Sequence, residues 1–529
     1  MVETIRLESG HTLTGIGGSN PSLSARVSEN FSFREVLRWR SGFRQWVSQI
    51  TKKTGWRMGL ALLLLGFATA TTSPAQVIKT LFSFDGTDGV APDYMFLVQA
   101  TDGNCYGTST HGGPGGSTGS GSVFKITPTG TETPLYNFCA QPNCTDGANP
   151  YAGLVQATDG NFYGTTYSGG SYGGGTIFKV TPAGTLTTLY SFCPEGLPCA
   201  DGANPAGALI QGTDGNLYGT SGGDIEGPVE GTVFKITLEG TLTTLYNFCS
   251  QPNCTDGSQP FAGLVQGTDK NFYGTTTSGG TSGGGTVFRM TPEGSLTTIY
   301  NFCSERDCSD GSEVKGQLVQ AADGNFYGTT ELGGTSRIEG QGTVYKITPA
   351  GSLTTLHRFC EKPIGGFCPD SGLPIAGLTV SSNGYLAGTT SGDFNSPTIF
   401  GISPAGKFVQ YTKAANTPAG LLQSTDGLFY GMAGGGTFGY GTIFSLGVGL
   451  GQFVKTSPTF GQIGTSVSIL GSNLAGATSV SFNGTAAMFT IVSPSEITTS
   501  VPSAATTGRV KVTTPGGTLT SNLPFRVIQ

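Results

Sequence analysis

Histidine, tryptophan and charge are what this chain of 529 residues has least of. Three histidines occur, His11, His111 and His357, too few and too scattered for a histidine-based triad or a zinc site. No Gly-x-Ser-x-Gly stands in a strand-to-helix context and no His-Glu-x-x-His exists, so the common hydrolase and zinc-protease signatures are missing. The Gly-rich run 169–175 lacks the Gly-Lys-Ser/Thr ending and precedes a strand, which excludes a phosphate-binding loop. No DxDxDG-type loop appears, Asp85-Gly-Thr-Asp88 being the nearest, so calcium is not expected. Neither a metal nor a cofactor is called for, and no catalytic residue is assigned. Charged residues make up 11%, and no segment between residues 76 and 448 shows a useful helical period.

All three tryptophans, Trp39, Trp46 and Trp56, precede residue 57, and a composition boundary follows them. Lys52, Lys53 and Arg57 flank an apolar run over 58–70, followed by small residues. That pattern describes a secretory signal peptide, with cleavage after Ala70 or Ala75, and the run is too short for a membrane span. The first 50 residues are long for a leader and fit a start codon placed too far upstream. Residues 1–75 are thus read as an N-terminal extension and signal peptide. The remainder holds 18 basic and 29 acidic residues, a net charge of −11, which argues against nucleic acid and anionic membranes as partners. A secreted or cell-surface monomer without a stable membrane span is expected, and the chain ends at Gln529 without a sorting motif.

Glycine is abundant, with 87 residues, and recurs at fixed places beside Phe, Tyr, Val and Ile, as turns between strands do. Tyr-Gly-Thr returns at Tyr106, Tyr163, Tyr218, Tyr273 and Tyr327, then as Ala387-Gly-Thr and Tyr430-Gly-Met, at steps of 57, 55, 55, 54, 60 and 43 residues. Within one copy, residues 153–157, 162–166, 176–180 and 185–192 read as four strands joined by Asp-Gly and Pro-x-Gly turns. Four antiparallel strands in seven copies predict an all-β, seven-bladed β-propeller over 76–448. An orphan fourth strand at 79–84 and a last copy lacking its fourth, after 441–446, predict closure by the N-terminal strand. Strand alternation then puts the Gly-rich loops and the inter-blade loops on one face.

Ten of eleven cysteines form close pairs on that face: Cys139 with Cys144, Cys193 with Cys199, Cys249 with Cys254, Cys303 with Cys308, and Cys360 with Cys368. Five local disulfides are expected, because the copies hold the pairs too far apart for a four-thiolate metal site. Cys105 is left over and reads as a buried small hydrophobe.

Residues 452–529 carry short alternating strands at 464–471, 477–482, 507–513 and 525–527, a small β-sandwich pattern. The stretches 471–474, 477–484, 505–508 and 514–517 resemble an IPT/TIG domain, which implies an immunoglobulin-like binding or spacer module. The recurring Asp-Gly-Asn-Phe-Tyr-Gly-Thr-Thr and Gly-Thr-Val-Phe-Lys-Ile-Thr-Pro elements across 79–447 resemble the GloVer tandem repeats of exported bacterial proteins. That resemblance implies a location rather than a chemistry.

An aspartate precedes each first strand: Asp88, Asp146, Asp201, Asp256, Asp310 and Asp370. These carboxylates form either a ring able to hold hydroxyl-rich ligands or a set of Asx-type turns. A ligand site breaks repeat symmetry, which singles out residues unique to one loop: His111, Tyr167, Tyr172, Glu331 and Arg337. The tyrosine of Tyr-Gly-Thr is assigned to packing between blades. The leading expectation is a binding protein for extracellular carbohydrate or a surface partner through the disulfide-bearing face. An extracellular polysaccharide lyase or hydrolase, or a structural spacer, are the alternatives.

Overall fold

The computed structural model describes residues 76–90, 96–113, 116–196, 198–223, 230–334, 340–362, 368–392, 397–413 and 419–528. The expected signal peptide and Arg337 lie outside these residues. The described part is all β with a few 3₁₀ turns and no α-helix.

Among the described residues up to 447, the strands form seven four-stranded antiparallel sheets, arranged as propeller-like blades. The second is representative, running Val155–Gln156, Phe162–Thr166, Thr176–Val180 and Leu186–Ser191. Its first strand is shorter than the sequence pattern gives, because residues ahead of Val155 leave the ladder and face the middle of the array. Asp-Gly turns join the first two strands, where glycine takes the positive φ that a tight hairpin needs (Gly160, φ 81°).

The seventh sheet is assembled from both ends of this region. Val77–Ser83 pairs antiparallel with Thr442–Gly447, beside Phe429–Ala433 and Leu422–Gln423. The N-terminal strand also reproduces the local irregularity of the fourth strands. Its register skips at Leu81, as the second sheet's skips at Leu189. Gly130, at φ 101°, lies against the Leu81 carbonyl, where a Cβ would come within 2.7 Å. Gly240 meets the Leu189 carbonyl in the same way, at 2.8 Å.

The hydrophobic core lies between neighbouring sheets. Tyr106, Val123 and Phe138 of the first sheet pack on Leu154, Phe162 and Phe178 of the second. The Tyr-Gly-Thr motif makes three separate contributions to this packing. The Tyr106 ring stacks on Phe162 at 4.0 Å, while its hydroxyl donates to Asp102 Oδ2 at 2.8 Å. Gly107 leaves room for Leu97 and the Phe124 ring, each 2.7 Å from where a Cβ would stand. Thr108 donates to the Ala152 carbonyl of the next sheet at 2.9 Å. A second set of links runs through the glutamine ending most first strands. Thr101 N donates to Gln156 Oε1, Thr158 N to Gln211 Oε1, Thr213 N to Gln266 Oε1 and Thr268 N to Gln320 Oε1. Thr425 N donates to Gln99 Oε1, which joins the seventh sheet to the first.

The C-terminal unit is a sandwich of a four-stranded and a five-stranded sheet. Val467, Ile469, Val480, Phe482, Ile497, Val510, Val512 and Phe525 fill the space between them. Beyond the sequence reading it contains Phe489–Ser493 and Glu496–Ser500, and its last strand extends over Gly517–Val527. The unit meets the Asp-Gly turn side of the propeller-like part. Ser495 Oγ donates to the Thr101 carbonyl at 2.6 Å, Arg526 Nη1 to Thr268 Oγ1 at 3.0 Å, and Lys455 Nζ to the Gln423 carbonyl. Leu523 packs into the cluster of Ala321 and Val380.

Candidate ligand site on the disulfide-bearing face

All five expected cysteine pairs are disulfide-bonded. The bonds join Cys139 to Cys144, Cys193 to Cys199, Cys249 to Cys254, Cys303 to Cys308, and Cys360 to Cys368. Cys105 is free and buried, and burial pushes its thiol up to about 12, which keeps it protonated. The disulfide loops hold residues in left-handed conformations that side chains rarely accept. In the loop 139–144 these are Cys139 (φ 62°), Asn143 (φ 58°) and Cys144 (φ 53°). Cys254 (φ 50°) and Cys308 (φ 49°) repeat the conformation of Cys144 in their own loops. In the longer loops ending at Cys199 and Cys368, the first cysteine of each pair has it among the described residues, Cys193 (φ 73°) and Cys360 (φ 58°). Such backbone persists only where the surroundings over-determine it. Here the disulfide and an aspartate do so together.

The aspartates face inward to their own loops. Asp146 accepts from the Tyr136 hydroxyl at 2.8 Å and from Ala140 N at 2.9 Å. Asp256 accepts from Tyr246 at 2.8 Å, from Ser250 N at 3.0 Å, from Ser250 Oγ at 2.8 Å and from Gln251 N at 3.3 Å. Asp310 repeats the pattern with Tyr300 and Ser304. Asp201 meets Tyr190 and Cys193 N, and in Asp370 the partner is His357 Nε2 at 2.8 Å, with Cys360 N. Asp146, Asp256 and Asp310 are buried. Asp88 stands apart, without a disulfide, accepting from Asp85 N at 3.0 Å, and burial raises its carboxyl above the usual range. Asp88 apart, each carboxylate thus bonds the backbone of its own loop, reaching back across the disulfide rather than to its immediate neighbours.

The repeat's symmetry breaks at the centre of this face. A cavity of about 360 Å³ opens among the residues just ahead of the first strands, a size within the range of small-molecule sites. Among the described residues, the position four before a first strand carries Tyr151, Ala206, Phe261, Lys315 and Ile375, and all five line it. The two residues after each are mostly Gly or Ala, which keeps the interior open. Tyr167 reaches in from a Gly-rich loop and sets its ring edge-to-face against Tyr151, centroids 5.0 Å apart. Burial raises the Tyr167 phenol above its ordinary range. Lys315, also in the lining, is ion-paired with Glu331 and lies 3.6 Å from Glu313.

Of the asymmetric residues singled out in the sequence, Tyr167 lines this cavity and Glu331 holds its lysine. Tyr172 is 56% exposed at a loop tip, and His111 engages through its backbone, its carbonyl accepting from Val90 N. Neither reaches the cavity. Tyr151, Phe261, Lys315 and Ile375 were not singled out, although the aligned copies differ most visibly at their position. Among the described residues no group of three or more His, Cys, Asp or Glu is placed to hold a metal ion. No described helix is long and apolar enough to cross a membrane.

Among solved structures, the chain is similar to a streptogramin B lyase at 17% identity, covering 70% of this chain and 97% of that one, with a TM-score of 0.47. A fungal alcohol oxidase in complex with copper matches at 13% identity, 86% and 99% coverage and a TM-score of 0.47. A gluconolactonase from Xanthomonas campestris matches at 13%, 57% and 87%, with a TM-score of 0.35. Likeness at this level bears on neither activity nor ligand. Among curated proteins none matches. Residues 453–527 match the IPT/TIG domain, and residues 66–254 and 200–400 match the Gloeobacter/Verrucomicrobia repeat. The chain therefore belongs to the Gloeobacter/Verrucomicrobia repeat family and carries a C-terminal IPT/TIG domain.

Proposed function

We propose that this chain is an exported binding protein, made of a seven-bladed propeller closed by its N-terminal strand and an immunoglobulin-like domain. Its domains on this reading are a leader over 1–75, the propeller over 76–448 and the sandwich over 452–529. It recognises extracellular carbohydrate or a surface partner through the disulfide-bearing face. The observation that carries the reading is the meeting of two features there. Five disulfide loops are braced by internal carboxylate bonds, and the cavity they surround differs from sheet to sheet in Tyr151, Phe261, Lys315 and Ile375. A rigid frame carrying variable residues is how scaffolds present binding sites. Export is supported by the disulfides, which persist in oxidising compartments. Pairing of Val77–Ser83 with Thr442–Gly447 supports closure, since it joins the first and last strands of this region in one sheet. Glycan-array binding of residues 76–529 tests the reading. Saturable binding that is lost on substituting face residues is the expected outcome, and absence of any glycan or surface-protein ligand refutes it.

A further inference from the structure

The cavity's chemistry is more specific than its location. The lining is rich in aromatics, with Tyr151 and Tyr167 held edge-to-face at 5.0 Å and Phe261 contributed from another sheet. Lys315 also lines the cavity, its ammonium ion-paired with Glu331 and 3.6 Å from Glu313, carboxylates that stand outside the lining. One lining ammonium with two carboxylates beside it leaves an excess negative charge next to the cavity among the described groups, on a mature chain that is itself acidic overall. A second anion entering there meets repulsion that water screens poorly in a concave site. A pyranose ring matches this lining. Its polarised C–H face suits the electron-rich face of a tyrosine or phenylalanine. Its hydroxyls can accept from the Lys315 ammonium in the lining. At about 360 Å³ the cavity lies at the small end of ligand sites, with room for a chain end rather than a run of polymer.

Resting on the binding reading above, we propose that this cavity takes the terminal residue of a neutral saccharide and rejects uronic-acid chains. Titration calorimetry with neutral gluco-, manno- and galacto-oligosaccharides, against an oligogalacturonate, tests it on residues 76–529. At least one neutral oligomer binds, and the oligogalacturonate does not. Tyr167→Ala weakens neutral binding at least about tenfold, and Ile375→Trp, which fills the cavity, abolishes it. Phe261→Ala serves as a second cavity variant, with thermal unfolding to establish that each variant is folded. Converting Glu313 and Glu331 together to Gln leaves Lys315 as the net charge and admits the oligogalacturonate. A preference of the unaltered protein for the uronate overturns the proposal, as does neutral binding that survives the folded cavity variants. If neutral binding instead falls with Tyr172→Ala alone, the face reading stands and the cavity proposal fails. No binding of either class defeats the cavity proposal alone, the face reading being refuted only when the wider glycan and surface-protein screen is also empty.

Discussion

A single carboxylate can decide whether a disulfide loop keeps its shape. Asp256 satisfies the Tyr246 hydroxyl, the Ser250 hydroxyl and two backbone N–H groups in a buried position. Removing a buried acceptor leaves each donor unsatisfied, at about 1–3 kcal/mol apiece where water cannot enter. Asp256→Ala should therefore lower Tm and speed proteolysis within residues 249–254, with Asp256→Asn intermediate. Unchanged melting and protease maps would contradict the brace. Glu132 is the opposite kind of carboxylate. Its Oε1 is buried without a partner, and burial, with Asp88 and Asp85 nearby, pushes its carboxyl up to about 7. An acid whose pKa is higher folded than unfolded binds its proton more tightly in the fold. Its stabilising contribution is full below the unfolded value near 4.5 and is lost as pH rises through about 7. Glu132→Gln should thus raise Tm at pH 8 and leave it unchanged at pH 4; an equal effect at both would refute the assignment.

At the scale of elements, the glutamine links between sheets are not uniform. Gln99 is buried and bonds both the amide and the hydroxyl of Thr425, tying the last sheet to the first. Gln266 makes the equivalent bonds to Thr213 at an exposed position. Gln99→Val should cost about 1–3 kcal/mol and Gln266→Val less, because water replaces the lost bond only at the second; equal losses in chemical denaturation would contradict this. The sixth sheet has Val380 in the glutamine's place, and there Leu523 and Asn522 of the C-terminal sandwich make the contact instead. The four-strand pattern was legible from sequence because Asp-Gly turns and alternating aromatics are local signals, and the cysteine spacing located every disulfide. Tyr-Gly-Thr was read correctly as packing. Its hydroxyl bond to the turn aspartate escaped notice because no one-dimensional spacing separates a buried ring from a buried ring with an anchored oxygen. The cavity was half legible. Tyr167 and Glu331 stood out as asymmetric, while Lys315 and Phe261 lie at the end of variable loops whose register only the folded first strand defines.

The whole molecule keeps its covalent locks local. The bonded cysteines are five to eight residues apart, so each disulfide closes one loop and none ties one sheet to another. Reduction should therefore loosen the loop face before the sheets separate, a sequence that hydrogen exchange with and without reductant can follow. Thiol titration should find no reactive group in the native protein and one, Cys105, after denaturation without reductant. More than one would show that the pairs are not all formed. The pairing of Val77 with Gly447 has a consequence in time. A chain made from its N-terminus carries its first strand without a partner until the seventh sheet has been synthesised. At ordinary elongation rates of about 5–20 residues per second that wait is roughly 20–70 s. Throughout it, an uncovered β-edge at one end of the nascent chain is exposed to every other strand in reach.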